Sequence, residues 1–180
     1  DPRIVSDARV IPQLNFREAA EMSYYGAKVL HQRTMMPVSG IGMPVYARNT
    51  FNPGAPGTLI DGGYTPGSHP VKACTAIPGQ GMISVEGKGM AGVPGMAARV
   101  FAALAGASVN ITMISQSSSE ASITLVVAGG DTEKAELAIK EELRRELSRG
   151  LVEEVTVRQR VGLVAAVGLG IARTPGVSAR

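Results

Sequence analysis

Residues 83–120 read ISVEGKGMAGVPGMAARVFAALAGASVNITMISQSSSE, and the fold turns on how this stretch divides. Met82 to Val85 is a short apolar strand running into a glycine-rich loop, Gly87 to Gly92. Pro94 is expected to open a helix, where its missing N–H costs nothing because first-turn donors are unpaired in any helix. Met96, Ala97, Val100, Phe101 and Leu104 then fall on one apolar face, and Gly106 sits where a left-handed cap is expected. A strand follows, with Val109, Ile111 and Met113 on one side and Asn110, Thr112 and Ile114 on the other. It ends in the polar run Ser115 to Ser119. Glycine loop, helix start and polar strand end make a place for a small zwitterion, with free N–H groups toward a carboxylate and side-chain amides or hydroxyls toward an ammonium.

The same loop satisfies Gly-x-Gly-x-x-Gly at residues 87–92, the outline of a dinucleotide fingerprint. Its context argues otherwise. Only a few residues separate the strand at 109–116 from the next, Ser122 to Ala128. The two therefore form an antiparallel hairpin, whereas a dinucleotide fold needs a helical crossover there. An NAD-dependent enzyme built on this loop is the weaker reading, and no Gly-Lys-Ser/Thr P-loop is present.

Working outward, residues 71–157 read strand, loop, helix, strand, strand, helix, strand. The second helix carries Ala135, Ala138, Ile139, Leu143 and Leu147 on one face, with Asp131 as the expected N-cap. Glu136–Lys140 and Glu141–Arg145 are expected surface pairs, and Gly150 closes the helix. Val152, Val155 and Val157 mark a last strand. This order is the split βαββαβ plan, a four-stranded antiparallel sheet with both helices on one face. Part of it recurs. Residues 83–99 (ISVEGKGMAGVPGMAAR) align with residues 164–180 (VAAVGLGIARTPGVSAR) at an offset of 81, matching Gly87 with Gly168, Gly89 with Gly170 and Pro94-Gly95 with Pro175-Gly176. The second copy stops inside its first helix and the chain opens without methionine, so the expectation is a piece of a longer protein, cut at both ends.

Upstream, Asn15 with Glu18 three positions on forms a capping box for a helix from Phe16 to about Tyr25, interrupted at Gly26. Val45-Tyr46-Ala47 reads as a short strand. Prolines and glycines from Asn52 to Pro70 read as a linker without periodicity. The expected fold class is α/β (α+β). Its divisions are residues 1–62, a linker at 63–70, a βαββαβ domain at 71–159, and the truncated start of a second at 160–180.

Composition removes several functions. The chain has 180 residues, 44% hydrophobic and 18% charged, and a net charge of +3. Lys and Arg are dispersed with few aromatics among them, so no nucleic-acid face is expected. Two histidines, His31 and His69, and the single Cys74 offer no zinc site and no internal disulfide. No apolar run is long enough to span a membrane and no signal peptide is seen, so the expected setting is reducing and cytoplasmic.

A tandem βαββαβ pair resembles tandem ACT domains, which sense amino acids. Asp1-Pro2-Arg3-Ile4-Val5, SYYGAKVLHQRT (Ser23 to Thr34) and NTFNPGAPGTLI (Asn49 to Ile60) resemble, in order and spacing, the end of the catalytic domain of aspartokinase. Gln32 stands where that family usually has proline, and Tyr25 replaces phenylalanine. ISQSSSE (Ile114 to Glu120) is most similar to the threonine-responsive branch, which includes aspartokinases fused to homoserine dehydrogenase. The resemblance implies ATP with Mg2+ and L-aspartate as substrates, with no tightly bound cofactor and no metal site in this stretch. It assigns Arg3 and Lys28 to the ATP phosphates, where cations spread charge. It places an effector, threonine or lysine, against Met90, Gly92, Val93, Gly95, Asn110, Ile111, Thr112 and Gln116, with a homo-oligomer formed through ACT domains. The motif that opens the family's kinase domain and its aspartate-binding residues are absent, so no catalytic residue is expected here. A stand-alone amino-acid-binding ACT protein without catalysis is the alternative reading. His31 is expected to pack at a domain edge.

Overall fold

The computed structural model describes residues 4–28, 30–64 and 69–177. The chain forms two compact units, residues 1–77 with 164–180, and residues 78–163.

The first unit begins with β1 (Gln13–Asn15), α1 (Phe16–Tyr24), α2 (Gln32–Gly40), β2 (Val45–Ala47) and β3 (Thr58–Asp61). The capping box forms as the sequence predicts: Asn15 Oδ1 accepts from Arg17 N–H at 3.0 Å, and Glu18 Oε2 accepts from Asn15 N–H at 2.9 Å. Past the C-cap Tyr25 the helix is stopped by Gly26, whose φ of +98° is open to glycine, with the Ala27 N–H reaching back to Met22 O at 2.9 Å. This long return bond is how a left-handed residue satisfies the last carbonyls. Two expectations fail here. The supposed linker at 52–70 contains β3, the central strand of a three-stranded sheet, parallel to β1 (Leu14↔Ile60) and antiparallel to β2 (Tyr46↔Leu59). Four residues are too few for periodicity to show, yet Ile60 is buried with Leu14, Ala19 and Met35 as a small core. The sequence also hid α2, because Pro37 lies inside it. His31 begins that helix as its N-cap, Nδ1 accepting from Arg33 N–H at 3.2 Å, and so has a structural task other than edge packing.

The second unit is built on β4 (Ala73–Glu86), α3 (Met96–Gly106), β5 (Ile111–Gln116), β6 (Ser122–Ala128), α4 (Thr132–Glu142), α5 (Arg144–Ser148) and β7 (Glu154–Val167). Both β4 and β7 start in one unit and finish in the other. The sheet order is β5-β6-β4-β7, with β6 antiparallel to both β4 and β5. Strands 111–128 are therefore a hairpin, and the dinucleotide reading falls. One core joins Ile83 and Val85 of β4, Val100 and Leu104 of α3, Leu125 and Val127 of β6, and Ile139 and Leu143 of the second helical region. Both helical regions thus cover the same face.

Local details depart from expectation. Pro94 does not open α3; Gly95, at φ +86°, caps it and Met96 is its first residue. The left-handed end falls on Ser108 (φ +51°) rather than Gly106, with the Val109 N–H returning to Leu104 O. A bulge between Ile111 and Met113 breaks the alternation expected for β5. The long second helix breaks at Leu143, and Asp131 makes no side-chain cap. Lys140 pairs with Glu136 as expected, while Glu141 pairs with Arg144, not Arg145. No helix among the described residues is long and apolar enough to cross a membrane.

The repeat has a three-dimensional counterpart. The Met90 N–H bonds Gly87 O at 3.0 Å, and its equivalent, the Ile171 N–H, bonds Gly168 O at 3.2 Å. Gly95 and its equivalent Gly176 share a left-handed φ of +86° and +81°. Glu86 O accepts from Glu153 N–H, and the equivalent Val167 O accepts from Lys72 N–H. The partner of the second copy at this point therefore lies upstream of the first copy, at Lys72, just before β4.

Candidate effector and nucleotide sites

Close packing of two glycines sets the first loop. A Cβ on Gly87 would strike Leu151 O and come within 2.6 Å of Val152 Cα, and one on Gly89 would meet Leu151 Cα at 2.7 Å. The loop is pressed onto the turn before β7, and Met90 plugs the core beneath it at 1% exposure. Met90 can thus face a ligand through its backbone alone. Gly92 (φ +70°), Val93 and Gly95 are on the surface. The Gly92 N–H is already used: it donates to Glu120 Oε2 at 3.1 Å, across the tip of the β5–β6 hairpin. Glu120 is held in the left-handed region (φ +57°) by a turn in which its N–H bonds Ser117 O. In the sequence Glu120 stands out only as the last residue of ISQSSSE, and it is not among the residues assigned to the effector.

Register separates the remaining effector residues. Gln116 pairs with Ile123, which pairs with Val85, so Gln116 lies at the loop's end of the sheet. Ile111 pairs with Val127, which pairs with Gly81, at the other end. Five residues of strand at about 3.3 Å each separate them by roughly 17 Å, beyond the reach of one amino acid. Asn110 is exposed beside Ile111, and the Thr112 hydroxyl donates to Gln80 Oε1 at 3.4 Å. Within one copy of the chain the structure groups the loop with Gln116 and Glu120, and leaves Asn110, Ile111 and Thr112 apart.

In the first unit, Lys28 lines a concavity of about 530 Å³ with Ser23, Tyr24, Gly26, Ala27, Leu30 and His31. Arg3, the other residue assigned to ATP, lies outside the described residues. Among those described, no group of three or more His, Cys, Asp or Glu side chains comes together. A wider cleft, about 740 Å³, is lined in part by Arg17, Met36, Tyr64 and Arg173, whose guanidinium stands 4.6 Å over the Tyr64 ring.

Among the described residues of this unit one charged group is buried, and its spacing in the sequence shows only half of its role. Glu18 is 2% exposed. Besides the Asn15 cap, Oε2 accepts from Lys72 Nζ at 2.7 Å, and Oε1 accepts from the backbone N–H of Leu169 at 2.9 Å. Burial pushes its pKa up, but the Lys72 hydrogen bond, the Asn15 and Leu169 N–H groups and the Lys72 charge outweigh burial and hold the carboxyl below its ordinary range. Capping predicts the first bond from spacing. Nothing local predicts partners 54 and 151 residues away.

An antiparallel βαββαβ unit with a glycine loop after its first strand, on the same chain as a small sheet and a concavity lined in part by Lys28, defines a class: an ACT domain that follows the end of an amino acid kinase domain. The ACT domain family matches residues 83–143 and the amino acid kinase family residues 1–49. A bifunctional aspartokinase/homoserine dehydrogenase of Haemophilus influenzae is 42% identical over 180 residues, covering 100% of this chain and 22% of that protein. Aspartate kinase of Clostridium acetobutylicum superposes with a TM-score of 0.83 at 25% identity, over 99% of this chain and 41% of that one. Aspartokinase III of Escherichia coli superposes with a TM-score of 0.75 in complex with aspartate and ADP (30% identity, 99% and 39% covered). Its complex with lysine and aspartate gives 0.69 (33% identity, 93% and 36%). The chain belongs to the aspartokinases, as a stretch holding the end of the kinase domain and ACT regulatory sequence. It spans about a fifth of the length of the bifunctional relative.

Proposed function

We propose that the whole protein transfers the γ-phosphoryl group of ATP to the side-chain carboxylate of L-aspartate, and that this region lets an end-product amino acid, threonine or lysine, inhibit that step. One observation carries the reading: the glycine loop, Gln116 and Glu120 converge at one end of an ACT sheet that continues, on the same chain, from an amino-acid-kinase tail. Lys28, lining its concavity, would meet the nucleotide phosphates. In the full-length protein Lys28→Ala should then raise the KM for ATP more than that for aspartate, and an equal effect on both would argue for a structural role.

The distance between the two groups of effector residues suggests how the site is completed. Strand β5 is an edge of the sheet. Two copies paired antiparallel along β5 would bring Asn110, Ile111 and Thr112 of one beside the loop and Gln116 of the other. An effector bound there would take its carboxylate to the loop N–H groups and its polar atoms to the Gln116 amide. Inhibition then requires tighter binding to the inactive arrangement than to the active one. Calorimetry on the full-length protein with L-threonine and L-lysine tests the reading: saturable binding that Gln116→Ala weakens supports it, and no binding of either overturns it.

A further inference from the structure

Glu18 is more than a capping residue. Its capping bond uses one direction of Oε2, and a carboxylate doing only that stands in water at a helix start. Here the group is buried and shared among three chain segments: the start of α1, the segment leading into β4, and the second glycine loop. Lys72 is fixed on both sides of Glu18. Its ammonium meets Glu18 and also Gln13 O at 3.2 Å, while its backbone N–H donates to Val167 O at 2.8 Å, one residue before Gly168. Gly168 and Gly170 are wedged against Pro70 and Lys72 so closely that a Cβ on Gly170 would lie 2.8 Å from Pro70 Cα. At its other end α1 is held by the same strand, since Gly26 packs where a Cβ would stand 2.7 Å from Ala76 O. Lys28 follows two residues later.

We propose that Glu18 is a coupling residue: it ties the second glycine loop, through the Leu169 N–H, to the helix that precedes Lys28, the lysine proposed to meet the nucleotide, so that the loop and the Lys28 segment shift together or not at all. This rests on the reading of the region as an amino-acid sensor for a kinase. A buried ion pair is poor evidence of stability, because apolar groups of the same volume serve a fold as well or better. What a carboxylate supplies is directionality. Moving Leu169 away strands a charged acceptor away from water, which disfavours that state by about tenfold to a hundredfold. That is the size of a typical coupling between two ligand sites, about 5- to 150-fold. Glu18 is thus a positioning residue, touching neither substrate nor effector.

The test uses reciprocity. In the full-length protein, the affinity for L-threonine, and separately for L-lysine, is measured by calorimetry with and without ADP and L-aspartate. The two affinities of the unaltered protein should differ by a factor within about 5- to 150-fold. Glu18→Gln together with Lys72→Met replaces the pair by neutral side chains of similar volume, a change that folds tolerate. In this variant the factor should fall to within about twofold of unity, with kinase activity in the absence of effector retained. Glu18→Gln alone is the second variant, read the same way if the first fails to fold. An unchanged factor in a folded variant overturns the coupling role and leaves the sensor reading standing. Failure of both amino acids to bind the unaltered protein removes the sensor reading and the coupling with it.

Discussion

The two glycine loops share a backbone and differ in the carboxylate that meets them. In the first, at residues 87–95, the Gly92 N–H reaches Glu120, an exposed side chain on a hairpin tip. In the second, at residues 168–176, the Leu169 N–H reaches Glu18, buried and paired with Lys72. Both loops are wedged in the same way, Gly87 and Gly89 on the turn before β7, Gly168 and Gly170 on the segment before β4. The repeat thus keeps the turn, while each copy offers a different N–H to a carboxylate: Leu169 is the counterpart of Lys88, and Gly92 of Arg173. An exposed acceptor can be displaced by a ligand in water, whereas a buried one is held by the desolvation its partner would suffer. The first loop is suited to exchange and the second to transmission.

The comparison breaks most sharply at the wedged glycines. Gly87→Ala and Gly168→Ala each drive a methyl into backbone, where no side chain can give way. Each should destabilise its own unit by about 3 kcal/mol or more, measured by urea unfolding. Gly92→Ala is the contrast: its surroundings are open and only the left-handed conformation, φ +70°, opposes a side chain, so a loss nearer 1 kcal/mol is expected. Equal losses at Gly87 and Gly92 would show that backbone angle, not close approach, fixes the loop.

Glu18→Gln comes next. Breaking a buried pair leaves the ammonium uncompensated, at a cost of about 3 kcal/mol; Lys72, 15% exposed, keeps some contact with water and holds the figure to that end of the range. The pH dependence follows from a carboxyl held below its ordinary range. Its stabilisation is complete above the unfolded carboxyl value of about 4.3 and is lost as pH falls through the lower folded value. Acid titration of stability should show this decline, and Glu18→Gln should flatten it. A variant that loses stability equally at every acid pH would mean that folding does not shift the carboxyl's pKa.

Where sequence and structure part, the cause is distance along the chain. The antiparallel plan was legible because it rests on local facts: a hairpin too short for a crossover, a four-residue spacing from Ala135 to Leu147, and a capping pair at Asn15 and Glu18. The equivalence of Gly95 and Gly176 was legible from identity alone. β3 was not, because Thr58–Asp61 sits among glycines and prolines and is ordered by two earlier strands, β1, 46 residues back, on one edge and β2, 11 to 15 residues back, on the other. The Glu18 partners were invisible for the same reason. The effector residues were nominated as one set, yet strand register alone puts Ile111 and Gln116 at opposite ends of β5, a consequence of strand geometry that composition cannot express.

Arg99 tests whether the helices above the first loop form a clamp of their own. Its guanidinium meets Glu142 Oε1 at 2.7 Å and Glu146 Oε1 at 2.6 Å, joining α3 to α4 and α5. The hydrogen bonds it donates to Glu146 and then to Glu142 raise its already high pKa. The group is 37% exposed, and water screens such pairs, so Arg99→Ala should cost only about 1 kcal/mol. A loss of several kcal/mol in thermal unfolding would make this network part of the core rather than its rim.

The smallest effect on stability belongs to Glu120, and it is the one that sharpens the comparison most. Glu120→Gln keeps an acceptor for the Gly92 N–H and should change stability by less than about 0.5 kcal/mol, as surface changes do. Its effect on binding should be larger. An amino-acid effector that brings its carboxylate to the Gly92 N–H arrives beside the Glu120 carboxylate. Two unit charges about 4 Å apart in water repel by about 1 kcal/mol, roughly a fivefold penalty on affinity. Removing the charge should therefore tighten L-threonine or L-lysine binding about fivefold, with a smaller gain at high salt, where the repulsion is screened. Tighter binding at every salt concentration would point to displacement of a hydrogen bond instead of charge. Weaker binding would reverse the assignment: Glu120 would then hold the effector's ammonium, and the loop would bind its ligand with Glu120 as a partner rather than against it as a competitor.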